Sequence, residues 1–303
     1  MTVVGLTGAS GRLGRLVGES LGPLLDPADI VLLTRSPGAL APAAEAGIDV
    51  RRVDFDEPET LPAAFSGIDR LLVISTDRVG VRVRQHRAAF AAAADAGVKH
   101  VIYTSMLKPT TAHPSRPLAA DHRVTEETLR SAGPIWTVLR FGFFAESLIG
   151  STERAIASGH WVSNAGGGHA SWVSVGDCAA VAARVLAGGG YEYRVVDVVG
   201  PEATSYADIV GLVIELTGRP LELVAVDDET YREGLIGRGV SVADADEYTS
   251  FGPAIRQGFA TAESDAVEEI TGRLPRTLRE VLLAYGLPSL PEPSDRGTGG
   301  AST

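Results

Sequence analysis

Apolar residues in the first 140 positions of the chain fall into short continuous runs, separated by longer segments of mixed character. Runs such as I-V-L-L-T and L-L-V-I-S are typical of strands that are buried on both faces. The longer segments have helical spacing and predict helices at 15–21, 38–46, 57–65, 82–96 and 120–132. The apolar runs predict strands at 2–7, 30–34, 49–53, 71–75, 98–105 and 135–139. This alternation favours an α/β fold with a parallel sheet covered by helices on both faces.

After residue 140 the pattern loosens. An aromatic segment and a glycine-rich loop (164–169) interrupt it, and the helix that follows has Asp177 as its expected N-cap residue. The next apolar run, 192–198, predicts a strand that returns to the sheet. The remainder, 205–285, is predicted to be mainly helical, with one strand at 221–226.

These changes predict two unequal parts. Residues 1–150, joined by 177–200, are expected to form the sheet domain, and residues 151–287 a smaller, mainly helical substrate-binding lobe. Residues 288–303 are rich in proline, glycine and serine, which is typical of a disordered end.

A glycine-rich turn follows the first predicted strand directly and opens the first helix. Gly8 suits the tight turn, Gly11 allows the backbone to come close to a phosphate, and Gly14 allows the helix to pack on the strand. The N–H groups at the start of the helix and its positive dipole end would then face an anion. This placement predicts a dinucleotide pyrophosphate site.

The end of the second predicted strand indicates which dinucleotide binds. NAD enzymes usually place an acidic residue there, but Asp29 precedes the strand and would lie at the opposite end of the sheet. The strand ends in Thr34-Arg35-Ser36, and the Arg35 guanidinium suits a 2′-phosphate, so NADP(H) is the predicted cofactor. The alternative is that Arg35 is a solvated surface arginine. After the third strand, Asp54 could accept a hydrogen bond from the adenine amino group beside Phe55, or could cap the next helix.

Composition narrows the classes of function. The chain has 303 residues and a net charge of −11, which disfavours nucleic acid and anionic membranes as partners. Cys178 is the only cysteine, so an intramolecular disulfide is excluded, and the six scattered histidines do not have zinc-ligand spacing. No apolar run approaches the ~20 residues that span a bilayer. With a strand at its start and no room for a signal peptide, the chain is predicted to be cytoplasmic.

The residues that could carry chemistry are few. No tyrosine is followed by a lysine four positions later, and Tyr103 has Leu107 there, so an ordinary Tyr-x-x-x-Lys proton relay is absent. His122 is the candidate catalytic residue, as proton donor or ribose contact, but a helix histidine can equally pack or be solvated. Glu126, one turn later, could orient His122 or be a surface charge. His169 is a candidate pocket donor, although loop histidines usually have no such role.

Several segments together resemble one known family. They are T-G-A-S-G-R-L-G (7–14), I-S-T-D-R-V-G-V-R-V-R-Q-H (74–86), G-V-K-H-V-I-Y-T-S (97–105), L-A-A-D-H-R-V-T-E (118–126), L-R-F-G-F-F-A-E-S (139–147), A-G-G-G-H-A-S (165–171) and S-V-G-D-C-A-A (174–180). Their order and spacing resemble the NmrA-like atypical short-chain dehydrogenases, and most of all the branch of quinone oxidoreductase type 2 and triphenylmethane reductase. The resemblance extends to about residue 287.

The resemblance implies a Rossmann-type, doubly wound NADP(H) domain with a smaller C-terminal lobe over the nicotinamide. By position, it assigns Gly8, Ser10, Gly11, Arg12 and Leu13 to the pyrophosphate, Arg35 to the 2′-phosphate, Ser75, Thr76, Thr104 and Ser105 to the rest of the cofactor, and Phe141, Gly142, Phe143 and Phe144 to the substrate pocket. Two positions depart from the family pattern. This chain has Ser147 where many relatives have asparagine, and His122 where many have lysine.

The residues and the resemblance together predict an NADPH-dependent oxidoreductase that passes hydride to a quinone or a similar flat conjugated acceptor. Such an acceptor is a strong electrophile, so the protein would supply mainly orientation and a dry pocket. Trp161, Trp172, Phe143 and Phe144 could stack on it, or could form core between the two parts. The alternatives are a non-catalytic NADP(H)-sensing regulator, and a pathway-specific reductase or isomerase of an aromatic natural product. A homodimer is the candidate assembly.

Overall fold

The computed structural model describes residues 2–287. Its strands are β1 (Val4–Thr7), β2 (Ile30–Thr34), β3 (Asp49–Arg52), β4 (Arg70–Val73), β5 (His100–Met106), β6 (Ile135–Phe141), β7 (Phe143–Phe144), β8 (His160–Ser163), β9 (His169–Val173), β10 (Arg194–Val198), β11 (Ala203–Ser205) and β12 (Glu222–Ala225).

The helices alternate with the strands in the first part of the chain and follow one another in the last part. They are α1 (Arg12–Leu21), α2 (Ala41–Glu45), α3 (Leu61–Phe65), α4 (Arg82–Asp95), α5 (Arg116–Arg130), α6 (Ile149–Ser158), α7 (Val175–Gly188), α8 (Tyr206–Thr217), α9 (Asp228–Gly237), α10 (Val242–Arg256), α11 (Ala266–Thr271) and α12 (Leu278–Ala284). Short 3-10 turns lie at Pro27–Asp29, Pro37–Leu40, Pro58–Thr60 and Ala145–Leu148.

Seven strands form one sheet in the order β10-β6-β5-β4-β1-β2-β3, and all of its pairs are parallel. Val4 of β1 pairs with Ile30 on one side and with Arg70 on the other. The chain first builds outward from β1 through β2 and β3, and then continues from β4 on the other side of β1. The carboxyl ends of β1 and β4 therefore flank a crevice at the point where the strand order reverses, which is where doubly wound sheets bind ligands.

The two faces of this sheet are covered by different helices, which explains why its strands are apolar without interruption. Leu72 lies in a core with residues of α1 and α7, and its neighbour Leu71 lies in a second core with residues of α3, α4 and α5. Ile102 and Tyr103 are divided between the two cores in the same way. Because consecutive side chains of a strand point to opposite faces, burial on both faces requires a continuous apolar run.

A second part is built from two small sheets, β11-β9-β7 and β12-β8, with helices packed around them. Its core includes Trp161, Trp172, Ile209 and Ile255. The two tryptophans are thus core residues within this lobe, whereas the sequence suggested stacking on an acceptor or core between the two parts. Between β9 and β11 the chain returns to the main sheet and adds α7 and β10.

The predicted fold class, a Rossmann-type parallel sheet with a smaller and mainly helical lobe, is confirmed. The pattern missed β8 and β9, because their four and five residues lie beside the glycine-rich loop that dominates this stretch. The helices predicted at 38–46 and 57–65 begin instead as 3-10 turns, at Pro37 and Pro58. The predicted disordered end lies outside the described residues.

Asp177 is not the N-cap residue of α7, which corrects the prediction. Ser174 occupies that position, and its Oγ accepts a hydrogen bond of 2.9 Å from the backbone N–H of Asp177. The Asp177 carboxylate is buried, and it accepts hydrogen bonds from Arg273 Nη1 at 2.6 Å and from the backbone N–H of Arg276 at 2.8 Å. Asp177 therefore ties the segment after α11 to the start of α7. Among residues 2–287, none of the helices has the length and apolar character needed to cross a membrane.

Candidate functional site

The glycine turn between β1 and α1 has the geometry that its sequence predicts. Gly8 has a φ of +65°, a backbone conformation that favours glycine. A Cβ atom on Gly14 would lie 2.2 Å from the carbonyl oxygen of Gly8, so only glycine allows α1 to begin this close to the strand end. Ser10 Oγ lies 2.7 Å from Thr34 Oγ1, which joins the turn to the end of β2.

The start of α1 is open to an anionic group. Gly11 is the N-cap residue and supplies no side-chain hydrogen bond to the first turn, and this turn contains no acidic residue. The N–H groups of a helix start need an acceptor, and the dipole of the helix favours a negative one. A pyrophosphate therefore fits this turn.

Beside the turn lies a cavity of ≈300 Å³, which we call the polar cavity. Predicted cofactor residues line it at the ends of several strands: Gly8, Ser10, Gly11, Arg35, Asp54, Phe55, Ser75 and Thr76. Arg35 is exposed at its edge, and Asp29 lies before β2 in the turn Pro27–Asp29, as expected. Asp54 Oδ1 accepts a hydrogen bond of 3.0 Å from the N–H of Asp56, so this carboxylate also stabilises its own turn.

A second arginine at the polar cavity was missed from the sequence. Arg78 lines the cavity and is held by Asp56, whose Oδ2 lies 2.8 Å from Arg78 Nη1. Asp56 also accepts a hydrogen bond of 3.1 Å from Arg84 Nη2. The D-F-D segment after β3 thus anchors a guanidinium from a loop 22 residues away in sequence, a contact that only the tertiary fold creates.

The segment after β4 forms a wall of the polar cavity, and side chains of three different elements hold its backbone. The N–H of Ile74 donates to Thr7 Oγ1 at 3.1 Å, and that of Ser75 to Thr104 Oγ1 at 2.9 Å. The N–H of Thr76 donates to His86 Nε2 at 3.1 Å. These three N–H groups therefore have hydrogen-bond partners although the segment pairs with no strand.

A second cavity of ≈430 Å³ adjoins the first, and we call it the aromatic cavity. Ile74 and Ser75, which follow β4, line both cavities. Its other lining residues come from both parts of the chain: Leu13, Thr104, Ser105, Met106, Leu107, His113, Leu118, His122, Phe141, Gly142, Phe143, Phe144, Glu247, Phe251, Phe259 and Ala260. Phe143 packs edge to face on Phe251 with ring centroids 5.2 Å apart, which makes one wall aromatic and apolar.

His122 lies at the aromatic cavity but is almost completely buried, and both ring nitrogens have protein partners. Arg82 Nη1 lies 2.9 Å from Nε2, and Tyr103 Oη lies 2.8 Å from Nδ1. Since arginine can only donate, Nε2 accepts, and Nδ1 of the neutral ring carries the hydrogen. Burial, followed by the nearby Arg82 charge, lowers the pKa of His122 well below its ordinary value. The ring is therefore neutral at pH 7 and is poorly suited to donate a proton.

Tyr103 and Glu126 are buried behind the cavity wall, where they contact His122 and Ser105, respectively. Tyr103 is fully buried in the core beneath His122, and burial raises the pKa of its phenol, so it is not a proton donor for a substrate. Glu126 is buried and is not a surface charge. Its Oε1 accepts from Ser105 Oγ at 2.8 Å, and Arg140 Nη2 lies 2.7 Å from its Oε2. Glu126 therefore positions Ser105 rather than His122.

Two predicted site residues point elsewhere in this structure. Arg12 Nη2 donates to Tyr285 Oη at 2.6 Å, and the guanidinium lies over the Tyr285 ring, away from both cavities. His169 is exposed at the start of β9, where it pairs with Ser205. Ser147 is also exposed, and its hydroxyl donates to the carbonyl oxygen of Phe144 at 2.7 Å.

Several residues at the aromatic cavity were not predicted from the sequence. They are His113, Glu247, Phe251 and Phe259 at its walls, with Arg82 and His86 behind it. The pair Arg82 and His86 lies four residues apart on α4 and could have been noticed as a polar face on a helix otherwise rich in alanine. The residues of α10 and its following loop carried no local signal, because only the packing of the lobe brings them to this sheet.

Three comparisons agree with this geometry. Residues 8–188, more than half of the chain, match the model of a family described as NAD(P)H-binding. Quinone oxidoreductase 2 of Escherichia coli (strain K12) is 31% identical over 278 residues, which are 92% of this chain and 96% of that protein.

Solved structures give the same result. The NADPH-dependent quinone oxidoreductase from Escherichia coli, in complex with NADPH, is 30% identical and superposes with a TM-score of 0.90 over 93% of this chain and 99% of that chain. The triphenylmethane reductase of Citrobacter sp., in complex with NADP(H), is 29% identical and has a TM-score of 0.86 over the same 93% and 99%.

Proposed function

The chain belongs to the NAD(P)H-binding family, and from this premise we propose that it is an NADPH-dependent oxidoreductase that passes hydride to a quinone or a similar flat conjugated acceptor. One observation carries the proposal. The polar cavity and the aromatic cavity share Ile74 and Ser75 as lining residues, which places the proposed dinucleotide site next to a space bounded by phenylalanines. Two of the relatives described above are named quinone oxidoreductase and triphenylmethane reductase, and these names support a conjugated acceptor.

The residues of the polar cavity fit NADP(H). We infer that the turn at Gly8, Ser10 and Gly11 and the open start of α1, including Leu13, hold the pyrophosphate. Arg35 is proposed to bind the 2′-phosphate, and Arg78 adds positive charge to the same cavity. Ser75, Thr76, Thr104 and Ser105 would line the remainder of the cofactor. When bound, NADPH supplies the hydride.

The residues of the aromatic cavity would bind and orient the acceptor. Phe143, Phe144 and Phe251 offer flat faces for a conjugated ring, and Gly142 allows the backbone beside them to approach the carbonyl oxygen of Ser171. A dry apolar pocket favours hydride transfer by excluding water and by holding the two reacting groups in contact. His122 is neutral and doubly hydrogen-bonded, so its proposed role is to fix the polar end of this pocket, with Arg82 and Tyr103 behind it.

The experiment that tests this proposal is a survey of acceptors. Purified protein is mixed with NADPH and a panel of quinones and cationic dyes, and the nicotinamide absorbance is followed. Turnover with flat conjugated acceptors, but not with simple ketones, is expected. Tight NADPH binding without turnover of any acceptor would instead identify a nucleotide-sensing regulator. Location in the cytoplasm and assembly as a homodimer are further proposals, which fractionation and sedimentation would test.

A further inference from the structure

One carboxyl group, that of Glu247, lies in the aromatic cavity and takes no part in the proposed binding of NADPH or the acceptor. Glu247 is carried by α10, one helical turn before Phe251, and both residues line the cavity. The surrounding walls combine Phe143, Phe259 and other apolar residues with several hydroxyl and imidazole groups. Glu247 is half-buried there, and partial removal of a carboxyl group from water disfavours its charged form, so its placement calls for a chemical explanation.

The other titratable groups of this cavity are unsuited to proton transfer. The N–H of Ser115 donates to His113 Nδ1 at 3.0 Å, and burial lowers the pKa of His113 to about 4. His122 is neutral and has partners on both ring nitrogens. At neutral pH neither imidazole carries the extra proton that an acid would give up. Among the residues that line the cavity, Glu247 is the one carboxyl group.

The charges around Glu247 come from three helices. Arg82 on α4 is buried, its Nε atom has no hydrogen-bond partner in the described chain, and its charge acts on Glu247. Asp121 on α5 lies 3.7 Å from the same Arg82 Nε and shares that charge. Asp244, on the same helix as Glu247, opposes its ionisation. The positive charge of Arg82 thus acts on the carboxyl groups of Asp121 and Glu247, while its Nη1 binds His122.

We propose that Glu247 is the catalytic acid that protonates the reduced acceptor. The inference rests on the proposed function, which supplies the hydride. A quinone that gains a hydride becomes a hydroquinone monoanion with negative charge on one oxygen. The O–H bond of the Glu247 carboxyl group then breaks, a new O–H bond forms on that oxygen, and the carboxylate regains a proton from water. Hydride and proton together convert the quinone to the neutral hydroquinone.

The environment of Glu247 favours this role. Desolvation by burial is the largest influence and raises the pKa of its carboxyl group, the nearby Arg82 charge opposes that rise, and the Asp244 charge adds to it. A raised pKa keeps part of the group protonated closer to neutrality, as a general acid requires. The reduction of a quinone should therefore slow as pH rises through the pKa of Glu247, because the acid form is lost.

Two acceptors separate this role from a structural one. A quinone needs a hydride and a proton, whereas a cationic triphenylmethane dye takes a hydride alone and becomes neutral. The Glu247→Gln variant should reduce the quinone roughly 100- to 1,000-fold more slowly at saturating acceptor, within the range that a positioned acid contributes. It should reduce the dye within about twofold of wild type, since no proton is transferred, and its residual quinone rate should lose the wild-type pH dependence.

Glu233→Gln, an exposed carboxylate on α9, is the matched control and should behave as wild type with both acceptors. A readout independent of turnover is the infrared carbonyl band of a protonated carboxyl group, expected in wild type and lost in Glu247→Gln. Equal rates with the quinone in Glu247→Gln and wild type, or equal losses with both acceptors, would overturn the role of Glu247 and leave the proposed function intact. Wild-type protein that binds NADPH but reduces neither acceptor would overturn both.

Discussion

The polar cavity and the aromatic cavity share one wall but are assembled in different ways. Every residue of the polar cavity lies between Thr7 and Gln85, and all except Gln85 of α4 lie at strand ends or in the segments that follow them. The aromatic cavity draws its residues from Leu13 to Ala260 and needs both the sheet and the lobe. A cofactor that is the same in many enzymes can be bound by short local segments, whereas the acceptor pocket depends on how two parts of the chain pack together.

The largest expected effect concerns the glycine turn of the polar cavity. In Gly14→Ala the new methyl group would lie 2.2 Å from the carbonyl oxygen of Gly8, so the turn must move. We expect the free energy of unfolding to fall by about 3 kcal/mol and NADPH affinity to fall with it. Denaturant unfolding and NADPH titration measure both.

Gly18→Ala on the same helix is the control for this change. Its methyl group would meet only Leu32 Cδ2 at 3.8 Å, so stability should rise by about 0.5–1 kcal/mol because alanine favours the helix. If Gly14→Ala and Gly18→Ala have the same stability and NADPH affinity, the close approach of α1 to the turn does not determine either property. The inference that the polar cavity is formed by short local segments would then be wrong.

Arg35→Ala tests whether the polar cavity selects the phosphate. Loss of a charged hydrogen-bond donor should raise the NADPH dissociation constant by roughly 10- to 100-fold, which corresponds to about 1.4–2.7 kcal/mol. The NADH constant should not change, since NADH has no 2′-phosphate. Arg87→Ala, an exposed arginine on α4, should affect neither cofactor. If Arg35→Ala keeps the wild-type preference for NADPH over NADH, Arg35 is a solvated surface arginine that does not bind the 2′-phosphate.

The buried histidines beneath the two cavities predict a pH dependence of stability. Burial, and then the Arg82 charge, lowers the pKa of His86 from 6.5 to about 3. Below pH 6.5 the unfolded chain binds a proton that the folded protein excludes. Stability is therefore complete above pH 6.5 and falls toward pH 3, by up to about 1.4 kcal/mol per pH unit for this histidine.

Urea unfolding between pH 4 and pH 7 measures that slope. His86→Gln should reduce it, whatever its own stability, and His160→Gln should not, because His160 is exposed on β8. Equal slopes in wild type and His86→Gln would mean that His86 is not buried in its neutral form, and would weaken the account of the wall at Thr76.

The smallest expected effect concerns the aromatic cavity. Phe251→Ala removes one partner of the Phe143 ring pair and should raise the KM for a flat acceptor about fivefold, or about 1 kcal/mol. The NADPH dissociation constant should stay at its wild-type value, since Phe251 does not line the polar cavity. Val242→Ala, an exposed position at the start of α10, should change neither. A change in both constants would show that the two cavities are not separable.

The sequence predicts the sheet and the glycine turn well because both depend on local rules. A strand buried on both faces must be apolar throughout, and a helix that begins directly after a strand needs glycine where its backbone touches the turn. The same rules explain why Ile30–Thr34 was predicted to the residue. The 3-10 turns that begin at Pro37 and Pro58 were predicted as the starts of helices, and the short β8 was not predicted. Segments of so few residues carry too little periodicity to be distinguished from their neighbours.

The polar network and the lobe contribution to the site could not be predicted. His122 was identified, but its protonation state depends on Arg82, 40 residues earlier, and on Tyr103 beneath it. Glu126 was expected either to orient His122 or to be a surface charge, whereas its oxygens accept hydrogen bonds from Ser105 and Arg140. Such contacts follow from the packing of separate elements, for which the sequence has no periodic signature.

The return of the chain to the main sheet has a consequence for its synthesis. The helix α1 is covered by α7, whose Val181 and Val185 pack with Val17 and Leu21 of α1, and the last strand of the sheet ends at Val198. At about 5–20 residues per second, a ribosome needs roughly 10–40 s to reach that strand after it has begun the first one. The glycine turn is therefore translated long before its supporting face exists. Cofactor capture is then a late event in the nascent chain, and α1 depends on the rest of the chain, or on a chaperone, to keep its apolar face from other partners.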